Sequence, residues 1–175
     1  MIMRPFFQIP YWNTKLLNFS STKKLLKKLI SEFPEQRNPY DNFSSNVKID
    51  RKEFIKKFEK IIEKELNQLS ISISKKLKIT DAWSVTYKKG DFHPPHNHGY
   101  KKLSGILYLD FPKGSADTEY VQPFPDLFSD LSIYSTLPNI EEGTINIVPS
   151  FLSHFTYPQK ISKAKQIIAW DMIVI

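Results

Sequence analysis

The chain has 175 residues, a net charge of +7, 41% hydrophobic and 14% aromatic residues, and no cysteine. That is the size of one ordinary domain with enough apolar content for a core, and no run approaches the ~18 uninterrupted apolar residues of a membrane span, so disorder and a helical membrane protein are excluded. Without thiols there can be no disulfide scaffold, cysteine nucleophile, zinc finger or iron–sulfur cluster, and any metal must be held by nitrogen and oxygen.

The amino-terminal run Met1-Ile2-Met3-Arg4-Pro5-Phe6-Phe7 lacks the basic, apolar and small-residue order of a secretory signal, and the chain is expected to be cytoplasmic. Residues 1–90 carry 19 Lys+Arg against 9 acids, and residues 91–175 carry 6 against 9. Only Arg4, Arg37 and Arg51 are arginines. The lysines therefore read as a solvated helical face rather than a nucleic-acid surface.

Ser20–Thr22 offer caps for a first helix at about 21–33, in which Leu25, Leu26, Leu29, Ile30 and Phe33 share a face until Pro34. Pro34 to Asn46, rich in Pro, Asn, Ser and Asp, reads as a surface loop. Asp50 with Glu53 resembles a capping box, and Phe54, Ile55, Phe58, Ile61, Ile62, Leu66 and Leu69 then line one stripe of a second helix, roughly 51–68. Packing against a sheet is the ordinary use of such a stripe. After residue 78 the pattern turns to short β-rich runs: Trp83–Lys88, Leu103–Phe111, Thr118–Gln122, Thr144–Val148, Leu152–Thr156 and Lys165–Val174. At that length and spacing they predict a sandwich or barrel-like sheet. One domain is expected over 1–175, with helical support in 1–78 and the β core in 79–175. The passage 114–142, with Pro123, Pro125 and Pro138, is expected to be a mobile insertion or lid. The apolar ending Ile173-Val174-Ile175 should pair with the sheet or with a second subunit, as in a homodimer.

The chemistry begins with the histidines. Of the four, His93, His96 and His98 fall within six residues, and His154 lies on a late strand. In a strand His96 and His98 would point to one face, the geometry of a metal chelate. Pro94-Pro95 is extended, which leaves His93 as a ligand or a partner of one. Ser104-Gly105 marks a close backbone approach.

The spacings Gly90 to His96 and Gly143 to Pro149 to His154 resemble the two cupin motifs, whose fold is the double-stranded β-helix. The cupin glutamate would fall at Lys102 or Leu103, the turn glycine at Phe151 and the terminal asparagine at Pro158, so the ligand set departs. A second resemblance covers about residues 80–172. The run Trp83-Ser-Val-Thr-Tyr-Lys-Lys-Gly90-Asp-Phe-His-Pro-Pro-His96-Asn-His98, then Leu103-Ser104-Gly105-Ile-Leu-Tyr108-Leu, then Val148-Pro149-Ser150-Phe-Leu-Ser-His154 and Tyr157-Pro158, is similar to the Fe(II)/2-oxoglutarate-dependent oxygenases of phages and marine bacteria. The resemblance implies an α+β fold with a double-stranded β-helix (jelly roll) core in the C-terminal half, buttressed by two N-terminal helices. It also implies a mononuclear ferrous ion, 2-oxoglutarate as co-substrate, O₂ as oxidant, and hydroxylation of a small-molecule or peptide substrate, in the cytoplasm of a cell or an infected host.

Carried over residue by residue, His96 and His98 occupy the strand-borne pair and His154 the distal ligand position. Most of that superfamily place Asp or Glu at the position of His98, where a carboxylate supplies the negative charge of a facial triad. Three neutral imidazoles also describe a zinc site, so the choice between Fe and Zn stays open. Asp91 and Asp110 are candidate replacement carboxylates without the right offset. Lys165 stands where the superfamily carries the arginine that binds the distal carboxylate of 2-oxoglutarate, and as a point charge it lacks bidentate geometry. Alternation puts Lys165, Ile167, Ala169, Asp171 and Ile173 on one face. Tyr108 is expected to donate its hydroxyl to that carboxylate, and Trp83 and Trp170 to line the pocket. Three functions remain: a 2-oxoglutarate-dependent dioxygenase, a cupin-like or zinc-dependent enzyme using the three histidines without 2-oxoglutarate, and a non-catalytic jelly-roll binding module.

Overall fold

Helical sequence is confined to the first 73 residues and strand sequence dominates the remainder of the computed structural model, which describes residues 9–37, 42–47, 50–123 and 134–175. In chain order the elements are β1 (Trp12–Lys15), α1 (Phe19–Glu32), β2 (Ser44–Ser45), α2 (Lys52–Ile61), α3 (Glu63–Ile73), β3 (Leu77–Tyr87), β4 (His93–His96), β5 (Leu103–Asp110), β6 (Thr118–Val121), β7 (Tyr134–Thr136), β8 (Thr144–Pro149), β9 (His154–Thr156) and β10 (Lys165–Val174). They form two antiparallel sheets, ordered β1-β8-β5-β10-β3-β2 and β4-β9-β6-β7. From β3 to β10 the chain steps back and forth between the sheets, with only β6 and β7 consecutive in one of them. That winding is the expected double-stranded β-helix.

β10 lies between β3 and β5 and is buried almost throughout, as a strand covered on both faces must be. Its alternation divides two environments. Ile168, Trp170 and Met172 join Leu26, Leu29, Phe54, Phe58, Ile62 and Leu69 in a core between sheet and helices. Ile167 instead packs with Val85, Tyr87, Ile106 and Tyr108. The helices thus seal the outer face of the main sheet, and the inner face is left to the site.

Several expectations change. The second helix is two, α2 and α3, parted at Ile62 (φ −104°, ψ 17°), so three helices buttress the sheet. Adjacent β-branched Ile61 and Ile62 crowd the preceding turn, and the break keeps Phe54, Phe58, Ile62 and Leu69 all in the core. The capping box expected from Asp50 and Glu53 does not form: Arg51 is the N-cap and carries no side-chain cap bond, while Asp50 Oδ1 accepts the Lys52 N–H at 3.1 Å just ahead of the helix. Within the expected loop 34–46, Ser44–Ser45 pairs with β3, and residues 38–41 lie outside the described residues. β1 was not foreseen; it pairs with β8. Inside 114–142, β6 and β7 pair with one another in the smaller sheet, while 124–133 lie outside the described residues. The carboxy-terminal strand pairs within its own sheet, Ile173 with Lys78 and Val174 with Leu77. Among the described residues no helix is long and apolar enough to cross a membrane.

Candidate metal centre

Strand register brings the first two histidines together. His96 on β4 stands opposite His154 on β9, and Tyr120 on β6 faces His154 from its other side. Cross-strand neighbours of this kind have their side chains within reach of one another. His98 arrives by another route than expected. β4 ends at His96, so strand alternation does not place His98; its backbone N–H is instead tied to the Ser150 carbonyl at 2.9 Å. The ladder of β4 with β9 is irregular between His93 and His96, where the two prolines have no N–H to donate.

His96, His98 and His154 nevertheless converge, each offering a ligand atom within 4.8 Å of the others. Ring centroids are 4.4 Å apart for His96 and His154, 5.2 Å for His98 and His154, and 5.3 Å for His96 and His98. Their tautomers follow from their acceptors. His96 Nδ1 lies 2.9 Å from the Pro94 carbonyl oxygen and His154 Nδ1 lies 3.1 Å from that of Leu152. A carbonyl only accepts, so both Nδ1 atoms carry hydrogen and both Nε2 lone pairs are free. His98 Nδ1 lies 3.2 and 3.3 Å from the two carboxylate oxygens of Asp171, which leaves its Nε2 free as well. Burial, followed by the neighbouring imidazole of His96, pushes the His154 pKa down to about 3, and burial also lowers that of His96. At neutral pH these two rings are uncharged and fit to bind a cation.

His93 is not one of the three converging ligands. Its ring stacks on His96 with centroids 4.0 Å apart, and its Nδ1 lies 3.1 Å from the Tyr87 hydroxyl. Burial, with His96 next, holds its pKa down at about 3. The candidate carboxylates are engaged elsewhere: Asp91 takes a two-point bond from Arg37 at 2.8 and 2.9 Å, and Asp110 pairs with Lys23 and Lys27.

Lys165 is fully buried at the head of β10. Its Nζ donates to the Ala116 carbonyl at 2.8 Å and lies 5.3–5.6 Å from the ring centroids of Tyr87, Phe111 and Tyr108. Among the described residues it has no ion pair with a carboxylate, and burial pulls its pKa down to about 7. Tyr108 donates its hydroxyl to Thr118 Oγ1 at 2.9 Å; Thr118 lines the cavity. That cavity lies between the sheets and includes the four histidines, Tyr87 and Tyr120 in its wall. Both tryptophans reach it, as expected. Trp83 stacks on His98 at 5.4 Å, and Trp170 lies over Gly105, where a Cβ would overlap the indole.

Asp171 went unrecognised as a site residue, although the alternation of β10 had already put it on the face of Lys165. Thr118 and Tyr120 carried no sequence signal of their own, since only the pairing of β6 with β9 brings them to the cavity. The donor set fits a divalent ion, with three imidazole lone pairs converging and their other nitrogens occupied. The surroundings also suit an anion: among the described residues the buried Lys165 ammonium forms no salt bridge, Asp117 acting on it only through space, and the buried Tyr120 hydroxyl makes no hydrogen bond.

A family model described as "Putative 2OG-Fe(II) oxygenase" matches residues 81–171, just over half of the chain. No curated protein matches the sequence. Among solved structures, HygX from Streptomyces hygroscopicus with nickel, 2-oxoglutarate and hygromycin B bound is 10% identical, with a TM-score of 0.70 over 94% of this chain and 82% of its own. The non-heme alpha ketoglutarate dependent epimerase SnoN from nogalamycin biosynthesis is 10% identical, with a TM-score of 0.69 over 94% and 76%. The viral collagen prolyl hydroxylase vCPH from Paramecium Bursaria Chlorella virus-1, in its 2OG complex, is 19% identical, with a TM-score of 0.58 over 94% and 96%.

Proposed function

The chain belongs to the family of 2OG-Fe(II) oxygenases, and on that premise we propose that it is a hydroxylase, with His96, His98 and His154 as the iron ligands and Lys165 as the anchor of the 2-oxoglutarate. The observation that supports the ligand assignment is the set of three Nδ1 atoms, each held by an oxygen acceptor, which leaves three Nε2 lone pairs free in a cluster whose ligand atoms lie within 4.8 Å of one another. Bound there, ferrous iron would activate O₂, the oxidant, with 2-oxoglutarate giving up two electrons as it becomes succinate and CO₂ and the substrate C–H bond giving up the other two, so that one oxygen atom would enter each product.

The protein's part is placement. Trp83, stacked on His98, keeps that ring in plane, and the backbone carbonyls of Pro94 and Leu152 fix the other two. Lys165 offers the distal carboxylate an ammonium already stripped of water, so the charge pair forms without a further desolvation cost on the protein side. Tyr108 orients the Thr118 hydroxyl, whose own hydrogen remains available to the same anion. Val85, Ile106, Val148 and Ile167 wall the cavity with hydrocarbon and keep solvent from the reacting atoms.

Hydroxylation is tested with Fe(II)-loaded protein, 2-oxoglutarate and ¹⁸O₂ against a panel of peptides and small molecules. The expected result is labelled succinate together with a product heavier by one labelled oxygen. A substrate that is isomerised or desaturated while 2-oxoglutarate is consumed would overturn the hydroxylase assignment and leave the family membership intact.

A further inference from the structure

In this chain the carboxylate of the metal site has moved from the ligand position to a position behind it. We propose that Asp171 supplies the negative charge that the three-histidine centre lacks, acting through His98; this rests on the assignment of His96, His98 and His154 as ligands. Asp171 is buried, 6% exposed, and both of its oxygens lie within 3.3 Å of His98 Nδ1. Ser104 on the neighbouring strand β5, its direct cross-strand partner, donates to Oδ1 at 2.8 Å, and Lys102 Nζ stands 3.9 Å from Oδ2. Trp83 stacks on the His98 ring, and the cross-strand partner of Asp171 on β3 is Asp81, which is itself paired with Arg51. The local backbone is built for the purpose. The ladder between β10 and β3 slips by one residue between Asp171 and Met172, and bulges of this kind re-aim side chains beside active sites.

The physical consequence is specific. An Asp bound to the far nitrogen of a ligating imidazole fixes its tautomer and raises its basicity, so His98 donates to the metal more strongly than a histidine held by a carbonyl, as His96 and His154 are. The Asp171 carboxylate carries −1 in a buried setting, and the Lys102 ammonium, 3.9 Å away and reaching solvent, screens it only in part, so it offsets a share of the positive charge of the ion. Asp171 is therefore a positioning and charge-setting residue, which does not itself touch the metal.

The test measures binding of Co(II), an air-stable probe, to the full chain by competition with a chromophoric chelator, together with the Fe(III)/Fe(II) midpoint potential and the melting of the metal-free protein. Asp171→Asn keeps the shape and, with its amide oxygen in the place of Oδ1, can still accept from Ser104 and His98, so it removes the charge at the cost of one acceptor oxygen becoming an NH₂ group. It is expected to weaken Co(II) binding about 10- to 100-fold and to raise the potential, with metal-free melting little changed. His98→Asp moves the carboxylate into the ligand position and sets it against Asp171; adding Asp171→Asn to that variant is expected to tighten Co(II) binding, reversing the sign. Ser104→Ala, which frees Asp171 to turn, is expected to weaken binding several-fold and serves should either Asp variant fail to fold. Binding and potential unchanged in Asp171→Asn, or an equal loss in both His98 backgrounds, would overturn the role of Asp171. Co(II) binding unaffected by His154→Ala would overturn the ligand assignment as well.

Discussion

Lys165 carries most of the energetic tension in the site. A lysine whose pKa falls from its ordinary 10.5 to about 7 on burial binds fewer protons in the folded chain than in the unfolded one between those values. Folding stability therefore rises with pH across that window, and the penalty for burying the ammonium is greatest below about pH 7. Lys165→Met removes the penalty and is expected to raise the melting temperature of the metal-free protein at pH 7, with the advantage shrinking as pH climbs toward 10. The same variant is expected to lose the thermal stabilisation that 2-oxoglutarate gives the wild-type protein. Melting curves with and without the dicarboxylate check both, and a destabilised Lys165→Met at pH 7 would contradict this. The family resemblance pointed to Lys165 and the alternation of β10 gave it an inward face, which the structure buries, but its aromatic surroundings depend on strand pairings that no local pattern encodes. Asp171 escaped notice for a related reason: a carboxylate six residues beyond Lys165 becomes a partner of His98 only when β10 and the loop after β4 are folded side by side.

At the scale of elements, β5 and β10 hold the site and the helix layer together through one tight approach. Gly105 lies directly opposite Trp170, and a methyl group there would overlap the indole. Gly105→Ala is expected to destabilise the protein by about 1–3 kcal/mol, the usual cost of overpacking, and to shift Trp170 fluorescence. Denaturant titration measures it, and an unchanged midpoint would mean that the strands part more easily than the packing implies. The Ser104-Gly105 pair was legible as a close approach because glycine inside a strand rarely has another use. Element types were legible too, since the helical stripe and the β10 alternation are long. What failed was local: the split at Ile62 falls at a pair of β-branched residues inside an unbroken apolar stripe, and β1, β2 and β7 are too short to show a period. His98 joins the cluster by a route that alternation did not foresee, reaching it from a loop pinned to Ser150 instead of from a strand.

For the whole molecule, the winding of eight strands between two sheets fixes where charge and solvent meet. The basic helices lie on the outer face of the main sheet, and the histidine cluster opens between the sheets. The metal-free protein is expected to lose stability as pH falls from about 6.5 toward 3. The reason is that His93 and His154, both held down to about 3 by burial, stay neutral in the folded chain while their unfolded counterparts take up protons. Divalent metal should oppose the loss near neutrality, by about 2.7 kcal/mol when free metal stands at a hundred times its Kd, and chelation should reverse it. A pH-melting profile flat between 6.5 and 4 in the absence of metal would show that the cluster is solvated and not buried.

The most direct test of the ferrous and 2-oxoglutarate site is an anaerobic titration of metal-stripped protein with Fe(II), with and without 2-oxoglutarate, followed by visible absorption. The expected result is a weak charge-transfer band that appears only when both are present and is absent in Lys165→Met at the same 2-oxoglutarate concentration. Stoichiometric Fe(II) binding with no band at any 2-oxoglutarate concentration would contradict the assignment of this cavity as the site where the two meet.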